Sequence, residues 1–306
     1  MSVLDIWIDC YGRWYEPEFN ALVGDTRYHF VFDPKRKRSI AFSLGLYLDE
    51  AVLSRDVRRY PMHRRFAVML ESPLHLDRIE RQIDLPKQFA AIFTHRRSHY
   101  MQGAPWHCLH FGTSWLDGQW DRRYDKTELV SFVGSIVHPD AHGYGLRRQV
   151  VEACQARGDV QCFGKGIRPV ASKIEGLESF AFSIAMENVQ EDDYFTEKLI
   201  DCFLTETIPI YWGCSRISEI FDPMGIMTFA DVRELIAILE NLGHGDYDAR
   251  REAITRNKTL ALEQHLTSNI GIYKRIAWKL QNVALPVSPL NPAMVMLRRS
   301  LARLPA

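Results

Sequence analysis

The stretch 180–213 constrains the fold more than any other part of the chain. It opens with an uninterrupted apolar run, Phe180–Met186, which is typical of a strand buried on both faces of a parallel sheet. A polar loop, an amphipathic helix and a second apolar run, Ile208–Trp212, follow in turn. This strand–loop–helix–strand unit predicts an open α/β sheet, in which ligands bind beyond the carboxyl ends of the strands.

Two charged residues lie where the helix of this unit is predicted to begin. Glu197 and Lys198 fall in its first turn. Backbone N–H groups without partners and the helix dipole favour an anion at this position, and a lysine adds positive charge. The pattern therefore predicts a phosphate-binding site.

The composition sets the class of protein. A chain of 306 residues is long for a single core, so two domains are expected. Its 46% hydrophobic and 25% charged residues are ordinary for a soluble globular protein, and a formal net charge of zero gives no field that would attract nucleic acid. No segment has the roughly 20 consecutive apolar residues of a transmembrane helix. Six scattered cysteines without a CxxC pair predict reduced core thiols and a cytoplasmic protein.

Two successive α/β sets follow each other along the chain. The predicted elements are strands at 4–8, 66–70, 90–94, 129–133 and 160–163, and helices at 77–82, 145–156 and 232–242. The polar, glycine- and tryptophan-containing segment 112–126 reads as a linker. We therefore predict two Rossmann-like domains facing a cleft, at 1–125 and 126–285. The basic, amphipathic tail 286–306 is expected either to pack across the other domain or to lie on a membrane surface.

Three groups of residues resemble the bacterial α-1,3/4-fucosyltransferases of glycosyltransferase family 10. The most specific is Glu187-Asn188, followed by Tyr194-Phe-Thr-Glu-Lys198 and Ile208-Pro-Ile-Tyr-Trp-Gly213. Upstream, Glu71-Ser72-Pro73 resembles the Glu-Ser-Pro element of the family, and parts of 131–164 resemble the start of its donor domain. Val189 departs from the serine that is usual in the family, and acidic residues fill 191–193, so the rim of the donor pocket differs.

The resemblance implies a GT-B fold and an inverting transfer of L-fucose from GDP-fucose to a hydroxyl of a glycan acceptor. The acceptor is expected to be a bacterial surface oligosaccharide or lipopolysaccharide, and the linkage α-1,3. No cofactor is expected to be required, although a divalent metal could stimulate the reaction. Two alternatives stay open: the same mechanism with another nucleotide-sugar, and a glycan-binding protein that has lost turnover.

The resemblance also assigns the catalytic base and a cation for the diphosphate. Glu71 would be the base, whereas its local pattern alone favours an ordinary surface glutamate beside a Ser-Pro turn. Arg147 would bind the diphosphate, with Arg148 as the alternative. Both arginines could equally be solvated at the start of a helix. An arginine there is unfavourable without an anion, which supports the phosphate role.

The remaining donor-site assignments lie within the signature. Lys198 would bind the diphosphate, and Glu197 would accept hydrogen bonds from the ribose hydroxyls or simply complement the helix dipole. Asn188 and Tyr194 would contact the phosphates or the sugar; otherwise Asn188 forms a turn and Tyr194 packs at the start of the helix. Glu187 is expected to orient a neighbour.

Other conspicuous residues carry weaker predictions. His95, His99, His107 and His110 lack the carboxylates and spacing of a metal site, so no metal centre is predicted. The segment 164–166, Gly-Lys-Gly, is expected to form a turn that borders the nucleotide. Three tryptophans near the predicted cleft could stack on acceptor sugars or simply pack: Trp106, Trp115 and Trp120.

Overall fold

The structure is a computed structural model that describes residues 3–12, 18–32, 43–116, 118, 120, 122–138 and 142–283. Within these ranges the chain forms two β-sheets with helices packed around them. The tail 286–306 lies outside the described residues, so its packing or membrane contact stays a prediction. Within the described residues, the structure contains no helix of the length and apolar character needed to cross a membrane.

The first sheet has seven strands in the order β2-β3-β1-β4-β5-β6-β7. All neighbouring pairs are parallel except β2 and β3, which form an antiparallel hairpin. The strands are β1 (Leu4–Tyr11), β2 (Phe19–Val23), β3 (Thr26–Val31), β4 (Ser43–Leu48), β5 (Arg65–Met69), β6 (Ala91–Thr94) and β7 (Trp106–Cys108). Two helices follow β5 and β6: α1 (Pro73–Glu80) and α2 (Arg97–Tyr100).

The second sheet has five parallel strands in the order β12-β11-β10-β8-β9. Its strands are β8 (Glu128–Val133), β9 (Gln161–Phe163), β10 (Phe180–Met186), β11 (Ile208–Trp212) and β12 (Met227–Thr228). The helices that follow in the chain are α3 (Gly143–Arg157), α4 (Glu197–Leu204), α5 (Ile217–Ile220), α6 (Val232–Glu240), α7 (His244–Glu263) and α8 (Asn269–Leu280). Every residue of β10 and β11 is buried, as continuous apolar runs predict for central parallel strands.

The predicted strands are confirmed within a few residues at their ends, but one predicted helix is displaced. We expected a helix at 77–82, and α1 begins at Pro73 instead. Proline suits the first helical position because its missing N–H group would have no partner there.

Helix α8 belongs to the first core although it follows the second sheet in sequence. Tyr273, Ile276 and Leu280 are buried in the same cluster as Phe30 of β3. At the far end of α8, the Gln281 side-chain amide donates to the Val23 carbonyl, 2.7 Å away. After the second sheet the chain therefore returns to the first sheet, and residues inside the predicted 126–285 range cover one of its faces.

The cysteines lie in the two cores as unpaired thiols. All six are free; five are buried and Cys108 is partly exposed. Burial raises the pKa of several of these thiols, for example that of Cys202 to about 12. The expectation of reduced structural cysteines therefore agrees with their positions.

The carboxyl ends of the two sheets face each other across a cleft. Glu71 follows β5 of the first sheet, and Glu187 follows β10 of the second. Side chains meet across this gap: the rings of His95 and Tyr194 lie 4.9 Å apart, and the Tyr100 hydroxyl donates to the Asp193 carboxylate. Residues from both ends can therefore act on one ligand.

Candidate active site

A buried carboxylate organises the start of α4. Glu187 is fully buried and accepts hydrogen bonds from the Thr196 backbone N–H and the Thr196 hydroxyl, each at 2.8 Å. The Thr196 hydroxyl also accepts from the Lys198 N–H and therefore caps the helix. Glu187 thus fixes the helix start, as its predicted orienting role requires.

Lys198 and Glu197 form an ion-pair cluster with this carboxylate. The Lys198 ammonium lies 3.1 Å from Glu197 and 3.3 Å from Glu187. Burial alone would lower the pKa of Lys198, but these two carboxylates outweigh burial and raise it. Burial would likewise raise the pKa of Glu197, but Lys198 and Lys173 lower it to about 2. Both side chains are therefore charged at neutral pH.

The two candidate arginines of α3 point to different places. Arg147 is buried and donates to the carbonyl oxygens of Met186 and Glu187, at 2.8 and 3.0 Å, beyond the end of β10. Arg148 donates instead to the carbonyls of Ile136 and His138, which follow β8. The structure thus brings Arg147, not Arg148, beside the signature residues.

Asn188 and Tyr194 pair with each other across the signature loop. The Tyr194 hydroxyl donates to the Asn188 side-chain oxygen at 3.2 Å, and the Asn188 carbonyl accepts from the Gly143 N–H at the start of α3. Burial raises the pKa of Tyr194, and the negative charges of Glu187, Glu197 and Glu71 add to the effect. The neutral phenol is therefore a stable hydrogen-bond donor at this point.

These residues border one cavity of about 370 Å³ at the carboxyl edge of the second sheet. Its lining includes four of the six predicted site residues: Arg147, Asn188, Glu197 and Lys198. The Gly164 and Lys165 residues of the predicted turn border it as well. A cavity with a helix start and several cations at its wall suits a phosphorylated ligand.

Lys173 and Trp115 also line this cavity, although the sequence marked neither of them as a donor-site residue. Lys173 lies 2.7 Å from the Asp201 carboxylate of α4, and its ammonium is 5.5 Å from the centre of the Trp115 ring. No local motif marks Lys173, because its position depends on a tertiary ion pair. Trp115 was noted only as one of three tryptophans near the cleft.

Glu71 lies on the opposite wall and is positioned by its backbone. The Asp49 carboxylate accepts from the N–H groups of Leu70 and Glu71, at 2.8 and 3.0 Å. The His95 Nε2–H donates to the Glu71 carbonyl at 3.1 Å. These contacts place the Glu71 side chain across the cleft from Tyr194, whose pKa responds to its charge.

The four clustered histidines occupy separate environments. Burial lowers the pKa of His95 to about 3 and that of His110 to about 4, so both are neutral at physiological pH. Within the described ranges, no three His, Cys, Asp or Glu side chains are grouped as metal ligands.

Acidic residues of the signature loop bridge the two domains. Glu191 lies 3.3 Å from Arg96, and Asp193 is 3.6 Å from Arg97 and accepts from Tyr100. These residues fill the loop that departs from the family pattern. Glu191 and Asp193 thus have basic partners that follow the first sheet, and Asp193 also lies 3.8 Å from Arg216 on its own side of the cleft.

Comparisons with known proteins agree with this geometry. Residues 124–252 match the family described as glycosyltransferase family 10 (fucosyltransferase), C-terminal domain. The α-(1,3)-fucosyltransferase FucT of Helicobacter pylori is 27% identical over 219 residues, which cover 68% of this chain and 45% of that protein. The chain thus spans about half the length of this curated relative.

Solved structures support the fold. An α1,3-fucosyltransferase with GDP has a TM-score of 0.55 at 16% identity, covering 87% of this chain and 91% of its own. TarM has a TM-score of 0.51 at 8% identity, covering 77% and 54% respectively. At these identities the similarity is evidence only for the fold, and it confirms the predicted GT-B architecture. The signature residues and the fold agree with this match, and residues 124–252 are similar to the C-terminal domain of glycosyltransferase family 10.

Proposed function

We propose that the protein is an inverting glycosyltransferase that transfers L-fucose from GDP-fucose to a hydroxyl of a glycan acceptor. The observation that carries this proposal is the cavity of about 370 Å³ where Arg147, Glu197 and Lys198 meet at the start of α4. The similar structure that contains GDP and the names of the related proteins point to the same donor.

The cavity offers what the departure of a nucleoside diphosphate requires. Negative charge grows on the leaving phosphate, and preorganised positive groups lower the barrier most when they face that charge. Lys198 and Arg147 line the cavity and supply such groups. We therefore propose that no divalent metal is required; transfer that persists in excess EDTA would agree, and complete loss would contradict it.

Glu71 supplies the complementary group on the other wall. As the acceptor oxygen bonds to the anomeric carbon, its proton passes to the Glu71 carboxylate. The bond between the anomeric carbon and the phosphate oxygen breaks on the opposite face, and GDP leaves with the electron pair. The position of Glu71 across the cleft from the donor cavity supports inversion at this carbon.

The acceptor and location belong to the same proposal. We propose a bacterial surface oligosaccharide or lipopolysaccharide as acceptor, with an α-1,3 linkage. Six free cysteines suit a reducing compartment, which supports the cytoplasm as the site of action.

The test is a donor panel with an acceptor array. The purified protein would be incubated with GDP-fucose, GDP-mannose and UDP-sugars, and released nucleotide and glycosylated products would be measured. We expect turnover with GDP-fucose and a product with inverted anomeric configuration. Turnover only with another donor would favour the alternative nucleotide-sugar. GDP-fucose binding without any turnover, in every acceptor tested, would favour a glycan-binding protein.

A further inference from the structure

Trp115 presents an unusual combination of exposure and anchoring. Trp115 is 64% exposed, yet it lines the donor cavity. A large aromatic residue that stays in water at the wall of a cavity leaves a ring face available to a ligand. The protein therefore keeps an apolar surface uncovered at a polar site.

Trp115 is held by the second domain, although it lies in the segment that joins the two sheets. The Asp201 carboxylate of α4 accepts from the Ser114 hydroxyl at 2.7 Å and from the Trp115 N–H at 3.2 Å. The next residue, Leu116, is fully buried in the core of the second domain. The indole is thus fixed relative to α4 and would accompany the donor in any movement of the domains.

The order of groups along the cavity suggests which part of the ligand reaches Trp115. Glu197 and Asp201 lie one turn apart on α4, and Lys173 bridges Asp201 to the Trp115 ring. The proposed function places the diphosphate at Lys198 and Arg147, and the adjoining Glu197 carboxylate suits the ribose hydroxyls as hydrogen-bond donors. The next group outward is the nucleobase, and an aromatic ring is a platform on which any base stacks.

We propose that Trp115 stacks on the nucleobase of the donor and that Asp201 positions it. This inference rests on the proposed function, which fixes where the diphosphate lies in the cavity. The Lys173 ammonium beside the indole adds positive charge next to the carbonyl oxygen of a guanine-type base. An acceptor-sugar platform is disfavoured because the ring is attached to the donor domain.

The experiment compares two probes that differ by the nucleoside. GDP and inorganic pyrophosphate would be titrated by calorimetry into the wild type and the variants Trp115→Ala and Trp115→Phe. Since base stacking contributes about 1–3 kcal/mol, we expect Trp115→Ala to weaken GDP binding about 5- to 150-fold. Pyrophosphate binding should change less than about two-fold, and Trp115→Phe should retain most of the GDP affinity.

Trp278 provides a matched control. It is a second exposed tryptophan, at 61%, and lies on α8 against the first sheet. Trp278→Ala should bind both probes as the wild type does. Because Trp115 is exposed, its removal leaves no buried void, and circular dichroism of each variant would check the fold.

The outcomes separate the two proposals. Unchanged GDP affinity in Trp115→Ala, or parallel weakening of GDP and pyrophosphate, would overturn the stacking role while GDP-fucose transfer by the wild type still stands. If Trp115→Ala raised only the Michaelis constant for the acceptor, the stacking role would be wrong and the ring would be a platform for the acceptor. Failure of the wild type to bind GDP would instead remove the proposed function.

Discussion

The two walls of the cleft are built in different ways. On the second sheet, charged side chains hold one another: Glu187, Glu197 and Lys198 form a cluster within 3.3 Å. On the first sheet, Asp49 and the neutral His95 hold the backbone around Glu71. The donor wall therefore presents fixed charges, whereas the base wall fixes the position of one carboxylate through its main chain.

This difference matches what each wall is proposed to do. A leaving diphosphate is stabilised by charges that do not reorganise during the reaction, and ion pairs provide such charges. A general base must lie within hydrogen-bond reach of the acceptor hydroxyl, and the contacts of the Glu71 backbone hold that residue at the edge of the cleft. The comparison predicts that changes at the base wall affect turnover, and changes at the donor wall affect donor binding and stability.

The largest effect is expected from Glu71→Gln, which keeps the shape but removes the basic oxygen. Transfer should fall about 10²- to 10⁴-fold, the usual contribution of a general base. Affinity for GDP should stay within about two-fold of the wild type, because the cations lie on the other wall. Steady-state transfer rates and calorimetric GDP titration would measure the two quantities.

Glu252→Gln is the matched control for this change. The Glu252 side chain is 94% exposed on α7, and its replacement should leave both quantities unaltered. If Glu71→Gln transfers fucose as fast as this control, Glu71 is not the base.

Lys198→Met should affect the opposite wall. Losing a charged donor to phosphate is expected to weaken GDP binding about 10- to 100-fold. It also leaves the buried Glu187 carboxylate without its lysine, which should lower the free energy of unfolding by about 3 kcal/mol. Urea denaturation and GDP titration would record the two losses.

A double variant separates these two effects. In Lys198→Met with Glu187→Gln the buried negative charge is removed, so part of the stability should return. GDP affinity should stay low because the cation is still missing. Recovery of GDP binding in the double variant would contradict a direct contact between Lys198 and the phosphates.

The strands of the donor wall could be predicted from the sequence, whereas some contacts at its cavity could not. Strands β10 and β11 were located at their true boundaries because continuous apolar runs mark strands buried on both faces. The contacts of Lys173 and Trp115 depend on Asp201, and no spacing in the sequence reveals such a tertiary link.

The elements that escaped prediction depend on distant partners. The apolar face of helix α8 is buried against the first sheet, which lies more than a hundred residues away in the chain. Asp49 and Glu71 meet for a similar reason, since β4 and β5 are neighbours in the sheet. Position along the chain alone could not show either contact.

As the pH is lowered, the protein should first lose stability through the buried histidines of the base wall. His95 and His110 have pKa values of about 3 and 4 in the folded protein, below the ordinary 6.5. The unfolded chain therefore takes up protons below pH 6.5 while the folded protein does not, and stability falls. Glu197, with its pKa of about 2, loses its contribution only below about pH 4.5.

We therefore expect the free energy of unfolding to fall by about 2 kcal/mol per buried histidine between pH 6.5 and 5. Urea denaturation at several pH values would measure the slope. His110→Asn should reduce the slope, whereas His63→Gln, at an exposed position, should not. Equal slopes in all three proteins would show that these histidines are not protonated on unfolding in this range.

The smallest effect is expected where the two walls touch. Asp193 joins Arg97 and Tyr100 across the cleft and Arg216 on its own side, and its φ of 62° is a conformation that asparagine also tolerates. Asp193→Asn thus removes the charge without straining the backbone. Since partly exposed ion pairs contribute about 1 kcal/mol or less, kcat/KM for transfer should fall at most about five-fold.

Asp192→Asn makes the same change one residue away, where the carboxylate accepts from Ser215 of its own domain. GDP affinity should match the wild type in both variants, because neither residue lines the donor cavity. If closure of the cleft brings Glu71 to the donor, only Asp193→Asn should lower kcat/KM. The difference in kcat/KM between this variant and the wild type should shrink at higher salt, because salt weakens the ion pair in the wild type. Equal rates for the two variants would mean that these charges do not help to join the walls, and the base would then reach the donor through packing alone.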